Sequence, residues 1–399
     1  MKAIIVDINN VVENLDELAA LVEACQMEVS HRVVQNLDKI NSATFIGSGK
    51  VKEIRDMIDD EEIVIFNSEL TPLQHKNLTD LLGVEVSDRT DLILRIFQTR
   101  AKTREAKLQA EIARDKYLLP RLAGMHESMT GQMGGSGFRG SGEKQIEIDR
   151  RIIGRRMSRN LKQLAQIKRQ REQTRKLRNV QPIKKVALVG YTNSGKSTLL
   201  NTFTNKKVLS KDMLFATLET NSRLVTIDQR PVILSDTVGF IDQLPHSLID
   251  AFASTLEEVL EADLLLHVID ISDPKIKEHI DTTNKVLEQI GAHEIEKLMV
   301  YNKIDLPVEV YVPFKEPYVC ISLEKKTNLG ELETSIARLL FKADAAMVLK
   351  LGYDMMNDVN RINEFCKINR LDYLEDGIYL DVTGSNELLN KYRKYQITH

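Results

Sequence analysis

The hydrophobic positions of the chain change period several times, and each change marks a different kind of element. Ala3–Val6 and Ile63–Phe66 are short, unbroken apolar runs suited to buried parallel strands. Leu15–Cys25, Val51–Met57 and Pro72–Leu82 space their apolar residues as helices do. This alternation predicts a small α/β domain over residues 1–94.

The period then lengthens. Ala101, Leu108, Ile112 and Leu119 share one face of a helix running to Pro120. Ile146, Ile153, Met157, Leu164 and Ile167 lie near one seam of a second helix, from about Glu143 to Leu177. Steps of three, four or seven predict an antiparallel helical hairpin over residues 95–178. Between its arms, residues 124–142 include seven glycines and few side chains that could form a core. A tight hairpin needs only a few connecting residues. The long loop is therefore expected to reach a partner through Phe138, an aromatic stacking group, and Arg139, a phosphate or base donor.

Strand-like runs return at Lys185–Val189, Pro231–Ser235, Leu298–Tyr301 and Tyr318–Ile321, which predicts a mostly parallel sheet within residues 184–346. Beyond it, Val348–Leu351 and Gly377–Val382 flank a helical stretch near Asp354–Asn369, and Leu388–Tyr395 reads as another helix. Residues 347–399 are thus expected to form a small C-terminal α/β domain, completing an α/β multidomain fold.

Composition narrows the class. At 399 residues, 42% hydrophobic and 28% charged, the chain has the make-up of a soluble multidomain protein. No apolar run approaches the roughly 18 residues of a membrane helix. The opening MKAIIVDINN reads as a first strand rather than a secretory signal. Cys25, Cys320 and Cys366 lie far apart without CxxC spacing, which argues against disulfides or zinc and for the cytoplasm. No surplus apolar seam demands a second copy, so a monomer is expected.

Charge changes the picture more. The net charge of −3 conceals a basic region: residues 95–178 hold 22 Lys and Arg against 8 Asp and Glu, a net of +14, leaving −17 elsewhere. Within residues 150–178, twelve basic residues accompany one acid, Glu172. A solvated surface helix would interleave Glu for pairing, whereas this one gains when phosphates neutralise it. It also lacks the bulky aromatics of a membrane anchor. RNA is the expected partner, through Lys144, Arg150, Arg151, Arg155, Arg156, Arg159 and Lys162.

The chemistry lies in the next segment. Lys185–Val189 feeds Gly190-Tyr191-Thr192-Asn193-Ser194-Gly195-Lys196-Ser197, a GxxxxGKS loop between a strand and a helix continued by Thr198. The glycines let backbone N–H groups turn toward phosphate, Lys196 is expected to reach the β and γ phosphates, and Ser197 to ligate Mg²⁺. A second strand ends in Asp236-Thr237-Val238-Gly239, placing Asp236 on the metal side and the Gly239 N–H near the γ-phosphate. Thr217, between these elements, is the candidate switch threonine over Mg²⁺. Asn302-Lys303-Ile304-Asp305 follows a third strand: Asp305 is expected to accept from the guanine N1–H and amino group as a buried carboxylate that penalises adenine. Asn302 should steady the loop, the Lys303 stem should cover the base, and backbone donors at Ser322 and Leu323 should meet guanine O6. GTP and GDP are the expected ligands. Phe240 stands where a glutamine could orient water, so slow intrinsic hydrolysis completed by a partner is expected. Asn193 could hold a K⁺ near the phosphates. Upstream, Gly47-Ser48-Gly49-Lys50 precedes a helix and is a weaker phosphate-loop candidate.

In these residues the chain resembles the HflX family of translation-associated GTPases. Further matches are Asp212–Leu218, Asp236–Ile241, Leu244-Pro245-His246, Thr255–Glu258, Gly47–Val51, Asp88-Arg89-Thr90, Arg100–Gln109, Tyr117–Leu122 and Gly140–Glu143. The resemblance implies binding of the GTP form to the large ribosomal subunit (50S), with the hairpin reaching ribosomal RNA and the subunit stimulating hydrolysis. It also implies splitting of stalled 70S ribosomes, notably after heat stress, and ATP binding by the N-terminal domain. Ser141 stands for the family's usual proline, Lys144 for a threonine and Leu323 for an alanine, which bears on the loop contact more than on ribosome binding. Two other activities fit the same residues: a nucleotide-dependent RNA-remodelling factor, and a GTP-controlled ribosome-binding or assembly module that does not split.

Overall fold

The computed structural model describes residues 1–9, 15–59, 62–122, 139–178, 183–204, 221–241, 253–308, 310 and 314–397. They form two compact units, one built from Met1–Arg171 and the other from Glu172–Asp242 with Ser254–His399.

The first unit runs β1 (Lys2–Ile8), α1 (Asp16–Ala24), β2 (Glu28–Gln35), α2 (Ser48–Met57), β3 (Glu62–Phe66), α3 (Pro72–Leu82), β4 (Glu85–Asp88), α4 (Arg89–Arg100), α5 (Arg104–Leu118) and α6 (Arg139–Arg178). Its four parallel strands take the order β2-β1-β3-β4. Ala3–Val6 and Ile63–Phe66 are fully buried, as the central strands of a sheet covered on both faces must be. The polar edge strand β2 and the four-residue β4 carry no comparable apolar run, so the sequence pattern does not announce them.

Two expected boundaries move. The first arm, expected from about Arg95 to Pro120, is broken near its start: α4 ends at Arg100, Ala101 turns to an extended conformation, and Thr103 caps α5 by accepting the Ala106 N–H at 3.2 Å. That cap ends the peptide's helical continuity and starts it anew. The second arm begins at Arg139, earlier than Glu143, with Gly140 and Gly142 inside its first turn. Each glycine costs roughly 1 kcal/mol of helix propensity, which a helix of 40 residues tolerates at its end.

The arms of the hairpin run antiparallel. Arg104 pairs with Gln163, Glu111 with Asn160, and Asp115 with Arg156, so contacts descend one helix as they ascend the other. Of the expected apolar seam, Ile153, Met157, Leu164 and Ile167 are half-buried, while the best-buried residue of that stretch is Asn160, its amide donating to Glu111 at 2.8 Å. A polar residue on a helical seam pins register, because any slip would leave it without its partner.

The second unit follows as β5 (Lys184–Val189), α7 (Lys196–Thr204), β6 (Asn221–Ile227), β7 (Arg230–Asp236), α8 (Ala253–Leu260), β8 (Leu264–Asp270), α9 (Ile276–Gln289), β9 (Lys297–Asn302), β10 (Tyr318–Cys320) and α10 (Leu329–Leu340). The sheet order is β10-β9-β8-β5-β7-β6, parallel except for the β6–β7 hairpin. That hairpin turns at Asp228 and Gln229, both with positive φ. The first strand, β5, has β8 on one side and β7 on the other. Successive connections therefore leave it in opposite directions, opening a crevice at its carboxyl end where a ligand can enter.

The chain ends with β11 (Ala345–Leu351), α11 (Met356–Phe365), β12 (Lys367–Leu374), β13 (Gly377–Gly384) and α12 (Asn386–Leu389), the strands forming an antiparallel sheet in the order β11-β13-β12. The helix expected near Asp354–Asn369 stops at Phe365, and Lys367–Leu374 is a strand paired with β13. Expected Leu388–Tyr395 is a short α-turn followed by a 3₁₀ segment, Asn390–Tyr395. All three cysteines are free thiols. Among the described residues no helix is long and apolar enough to cross a membrane.

Candidate functional site

The phosphate loop leaves β5 at the sheet's central crevice. Gly190 and Gly195 adopt φ of 143° and 104°, which side-chain-bearing residues resist. A Cβ on Gly190 would overlap the Val268 carbonyl, and one on Gly195 the Asn302 amide. Asn193 is exposed, with φ of 60°, and the loop runs straight into α7, whose first turn contains Lys196, Ser197 and Thr198. Unpaired N–H groups at such a helix start favour anions.

Lys196 is buried, and its ammonium donates to the carbonyls of Gly190 at 3.0 Å and Tyr191 at 2.5 Å. Burial pushes its pKa down to about 8, and the Asp236 carboxylate pulls the other way. Ser197 donates its hydroxyl to Asp236 Oδ2 at 2.7 Å, bringing together the two residues expected on the metal side. Asp236 is 1% exposed at the end of β7. Beyond it, Thr237 fastens the strand end to β5 by donating to the Leu188 carbonyl at 2.6 Å. Phe240 pairs with the phosphate loop: its N–H donates to Gly190 at 3.1 Å, and its carbonyl accepts from Thr192 at 2.8 Å. Gly239 lies so close that a Cβ there would come within 2.9 Å of Thr192 Cα and 3.0 Å of the Lys196 ammonium. Thr217, the candidate switch threonine, lies outside the described residues, as does Phe138 of the glycine-rich loop.

The base side is tied to the phosphate side by one residue. Asn302, buried at the end of β9, donates its amide to the Ser194 carbonyl at 3.0 Å and accepts the Leu323 N–H at 3.2 Å. Lys303 takes φ of 66° and pairs with Asp270 at 2.6 Å. Asp305 is exposed, in the turn beyond the last residue of β9. The Ser322 hydroxyl bonds its carboxylate and holds its pKa below the usual range, with Lys325 and Lys303 contributing. Ser322 also accepts the Lys325 N–H at 2.9 Å, so the last loop and the Asp305 turn share a hydrogen-bonded junction.

The sequence did not point to three further residues. His279 of α9 stacks on Tyr191 with ring centres 3.6 Å apart. Asp270 is the counter-charge of Lys303. His267 is buried on β8, but its Nδ1 has no hydrogen-bond partner among the described residues. Asp270 could have been sought as an acid at a strand end facing the crevice; no local signal reveals the other two.

Elsewhere, the Gly47 N–H donates to Gln35 Oε1 at 2.9 Å, and Lys50 pairs with Glu53, so this weaker candidate loop is engaged within its own domain. On the hairpin, Arg150, Arg151, Arg155, Arg159 and Lys162 are exposed. Arg156 is exposed as well, but its guanidinium is committed to Asp115 through two hydrogen bonds, one of 3.0 Å. The backbones of Arg139 and Lys144 are helical, and their side chains lie outside the described set.

The Gly190–Ser197 loop at the end of β5, Asp236 at the end of β7 and the Asn302–Asp305 turn after β9 define a P-loop GTPase. Three family profiles match in chain order: GTP-binding GTPase N-terminal over residues 12–98, GTP-binding GTPase Middle Region over 100–178, and 50S ribosome-binding GTPase over 185–303. The GTPase HflX of Caldanaerobacter subterraneus subsp. tengcongensis is 42% identical over 389 residues, spanning 97% of this chain and 91% of that protein. The GTPase HflX of Escherichia coli K12 is 43% identical over 297 residues, 74% of this chain and 70% of its own. Among solved structures, SsGBP in complex with GDP aligns over 86% of this chain and 99% of its own at 28% identity and a TM-score of 0.50. The chain belongs to the HflX family, and with it to the GTP hydrolases of a ribosome-interacting group.

Proposed function

We propose that the GTP form of this protein binds the large ribosomal subunit and splits or rescues stalled 70S ribosomes in the cytoplasm, with hydrolysis permitting release. The observation that carries this reading is the exposed basic row on α6, Arg150, Arg151, Arg155, Arg159 and Lys162, in one chain with the nucleotide site. A rod with so many exposed positive charges gains by entering a phosphate-lined cleft. Its inward face is built differently, since Arg156 and Asn160 serve the helix pair. A family profile described as 50S ribosome-binding supports the same partner.

Differential affinity for the split and joined states can supply the work, and hydrolysis then resets the cycle. Ser197 and Asp236 fit a Mg²⁺ site: a hydroxyl and a buried carboxylate oxygen lie 2.7 Å apart at the start of α7. Thr217 would complete it in the triphosphate state. Phe240 has no side-chain hydrogen bond to offer an attacking water, so intrinsic turnover is slow and the ribosome stimulates it. K⁺ beside Asn193 and ATP in the N-terminal domain are separate cofactor expectations; exchanging Na⁺ for K⁺, and titrating ATP, test them.

The deciding experiment mixes purified 70S ribosomes with protein and GTP, GDP or a non-hydrolysable GTP analogue, then resolves the subunits by sedimentation. Dissociation in the analogue state supports splitting by the monomeric factor. Binding without dissociation favours the assembly module, and ATP-driven unwinding of ribosomal RNA favours the remodelling factor.

A further inference from the structure

Tyr191, the second residue of the phosphate loop, is buried, and its ring lies flat on the His279 imidazole with 3.6 Å between centres and 13° between planes. His279 is itself held in place. Its Nδ1 is 3.4 Å from Asp273 Oδ2, and its N–H donates to the Lys275 carbonyl at 3.0 Å in the first turn of α9. The Tyr191 carbonyl, on the other side of the same residue, receives the Lys196 ammonium at 2.5 Å. A chain of contacts therefore runs from Asp273 through His279 and Tyr191 to the lysine that meets phosphate. Three residues before Asp273, Asp270 pairs with Lys303 on the base side. The end of β8 and its connection to α9 thus brace both halves of the nucleotide site with one carboxylate each. A cavity of about 50 Å³, enough for ordered water, lies among Tyr191, His267, Asp273 and His279.

We infer that His279 is a positioning residue for nucleotide binding: its ring fixes Tyr191, and through the Tyr191 carbonyl sets the resting place of Lys196. This role requires no contact of its own with nucleotide or metal. Its contribution is preorganisation, which cuts the ordering cost that binding must otherwise meet. The lever is the flat ring, because a stacked aromatic pair orients the loop whatever the ring's charge. The inference rests on the GTPase site alone, and its assays contain no ribosomes.

The test compares full-length wild type with His279→Ala, His279→Phe and His279→Gln. Fluorescent GTP-analogue and GDP titrations, single-protein GTP turnover and melting of the nucleotide-free protein are measured for each. His279→Ala should weaken both nucleotides by about 3- to 10-fold, the worth of one aromatic pair, raising KM while leaving kcat within about twofold. His279→Phe keeps the ring but not the Asp273 contact and should restore most of the affinity. His279→Gln keeps a donor for Asp273 without the ring and should not. Unchanged affinity in the alanine variant, or a loss confined to kcat, overturns the inference. So does rescue by Gln rather than Phe. Should His279→Ala fail to fold, the Phe-against-Gln comparison decides by itself, with equal affinities counting against the stack.

Discussion

Asn302 donates its side-chain amide to the Ser194 carbonyl at 3.0 Å, fastening the end of β9 to the middle of the phosphate loop. Its oxygen meanwhile accepts the Leu323 N–H at 3.2 Å, so one buried side chain registers three loops. Asn302→Ala leaves a buried carbonyl and a buried N–H without partners, each costing about 1–3 kcal/mol. GTP and GDP affinities should fall together, by roughly 5-fold to 150-fold, since the tie serves the loop rather than any one phosphate. Titration with fluorescent GDP and a fluorescent GTP analogue checks this. A loss restricted to the triphosphate would mean that Asn302 acts on the γ-phosphate side instead.

His267 should make the fold acid-sensitive. Burial, with Lys297 and Lys196 adding like charge, pushes its pKa down to about 3. Between that value and the unfolded value near 6.5, the unfolded chain binds a proton that the folded chain refuses. Stability contributed by the neutral ring is therefore complete above pH 6.5 and is lost as pH falls toward 3. His267→Leu should flatten the stability–pH curve over that window, by up to about 1.4 kcal/mol per pH unit. Urea unfolding at pH 7 and pH 5 gives the two slopes; parallel curves would contradict the assignment.

Arg230 offers a test of how the C-terminal segment is held. Its guanidinium is buried between Asp228, at 3.1 Å, and Asp344, with its carbon 3.4 Å from the centre of the Phe341 ring. Lys367 of β12 meets the other Asp228 oxygen at 2.6 Å. Removing one member of a buried ion pair typically costs about 3–5 kcal/mol, and Arg230→Ala should fall in that range. Burial already raises the Asp344 pKa, and Arg230 restrains the rise. Without the arginine the folded state holds its proton to higher pH, so the variant regains stability as pH falls through that raised value. The deficit against wild type should be smaller at pH 5 than at pH 8 in matched urea titrations. An equal deficit would place the cost in lost packing on Phe341.

Much of the nucleotide site was legible because its chemistry is local. Gly190 and Gly195 reveal themselves through spacing, and their positive φ is what the loop's curl requires. Asn302, Ser322 and Leu323 could be placed because each follows a short apolar strand. Asp305 follows the same short strand as Asn302 and lies exposed in the turn beyond it. His279 was illegible: it reaches Tyr191 only through the packing of α9 beside the loop, and no spacing encodes that. In the N-terminal sheet, β2 escaped notice because an edge strand needs no apolar run. The break between α4 and α5 was written in Thr103, a capping residue passed over in favour of the longer periodicity.

The hairpin separates two kinds of arginine, and that separation can be measured. Arg150, Arg151, Arg155 and Arg159 are exposed on α6, while Arg156 bonds Asp115, a carboxylate only 1% exposed. The Asp115 hydrogen bonds raise the Arg156 pKa, as expected of a cation serving an internal partner. Each arginine that neutralises an RNA phosphate adds about 0.7–0.9 to the slope of log affinity against log salt. Replacing the four exposed arginines with alanine should therefore lower that slope for large-subunit binding by roughly 3 to 4. The melting temperature should scarcely move, because all four side chains are exposed, where ion pairs contribute little. Arg156→Ala should do the reverse, leaving a buried carboxylate unpaired: melting drops while the slope changes by no more than about one. Sedimentation binding at four salt concentrations, with thermal melts alongside, distinguishes the two. A fourfold variant that kept the wild-type slope would remove the basic face of α6 from the ribosome contact, whatever became of Arg156.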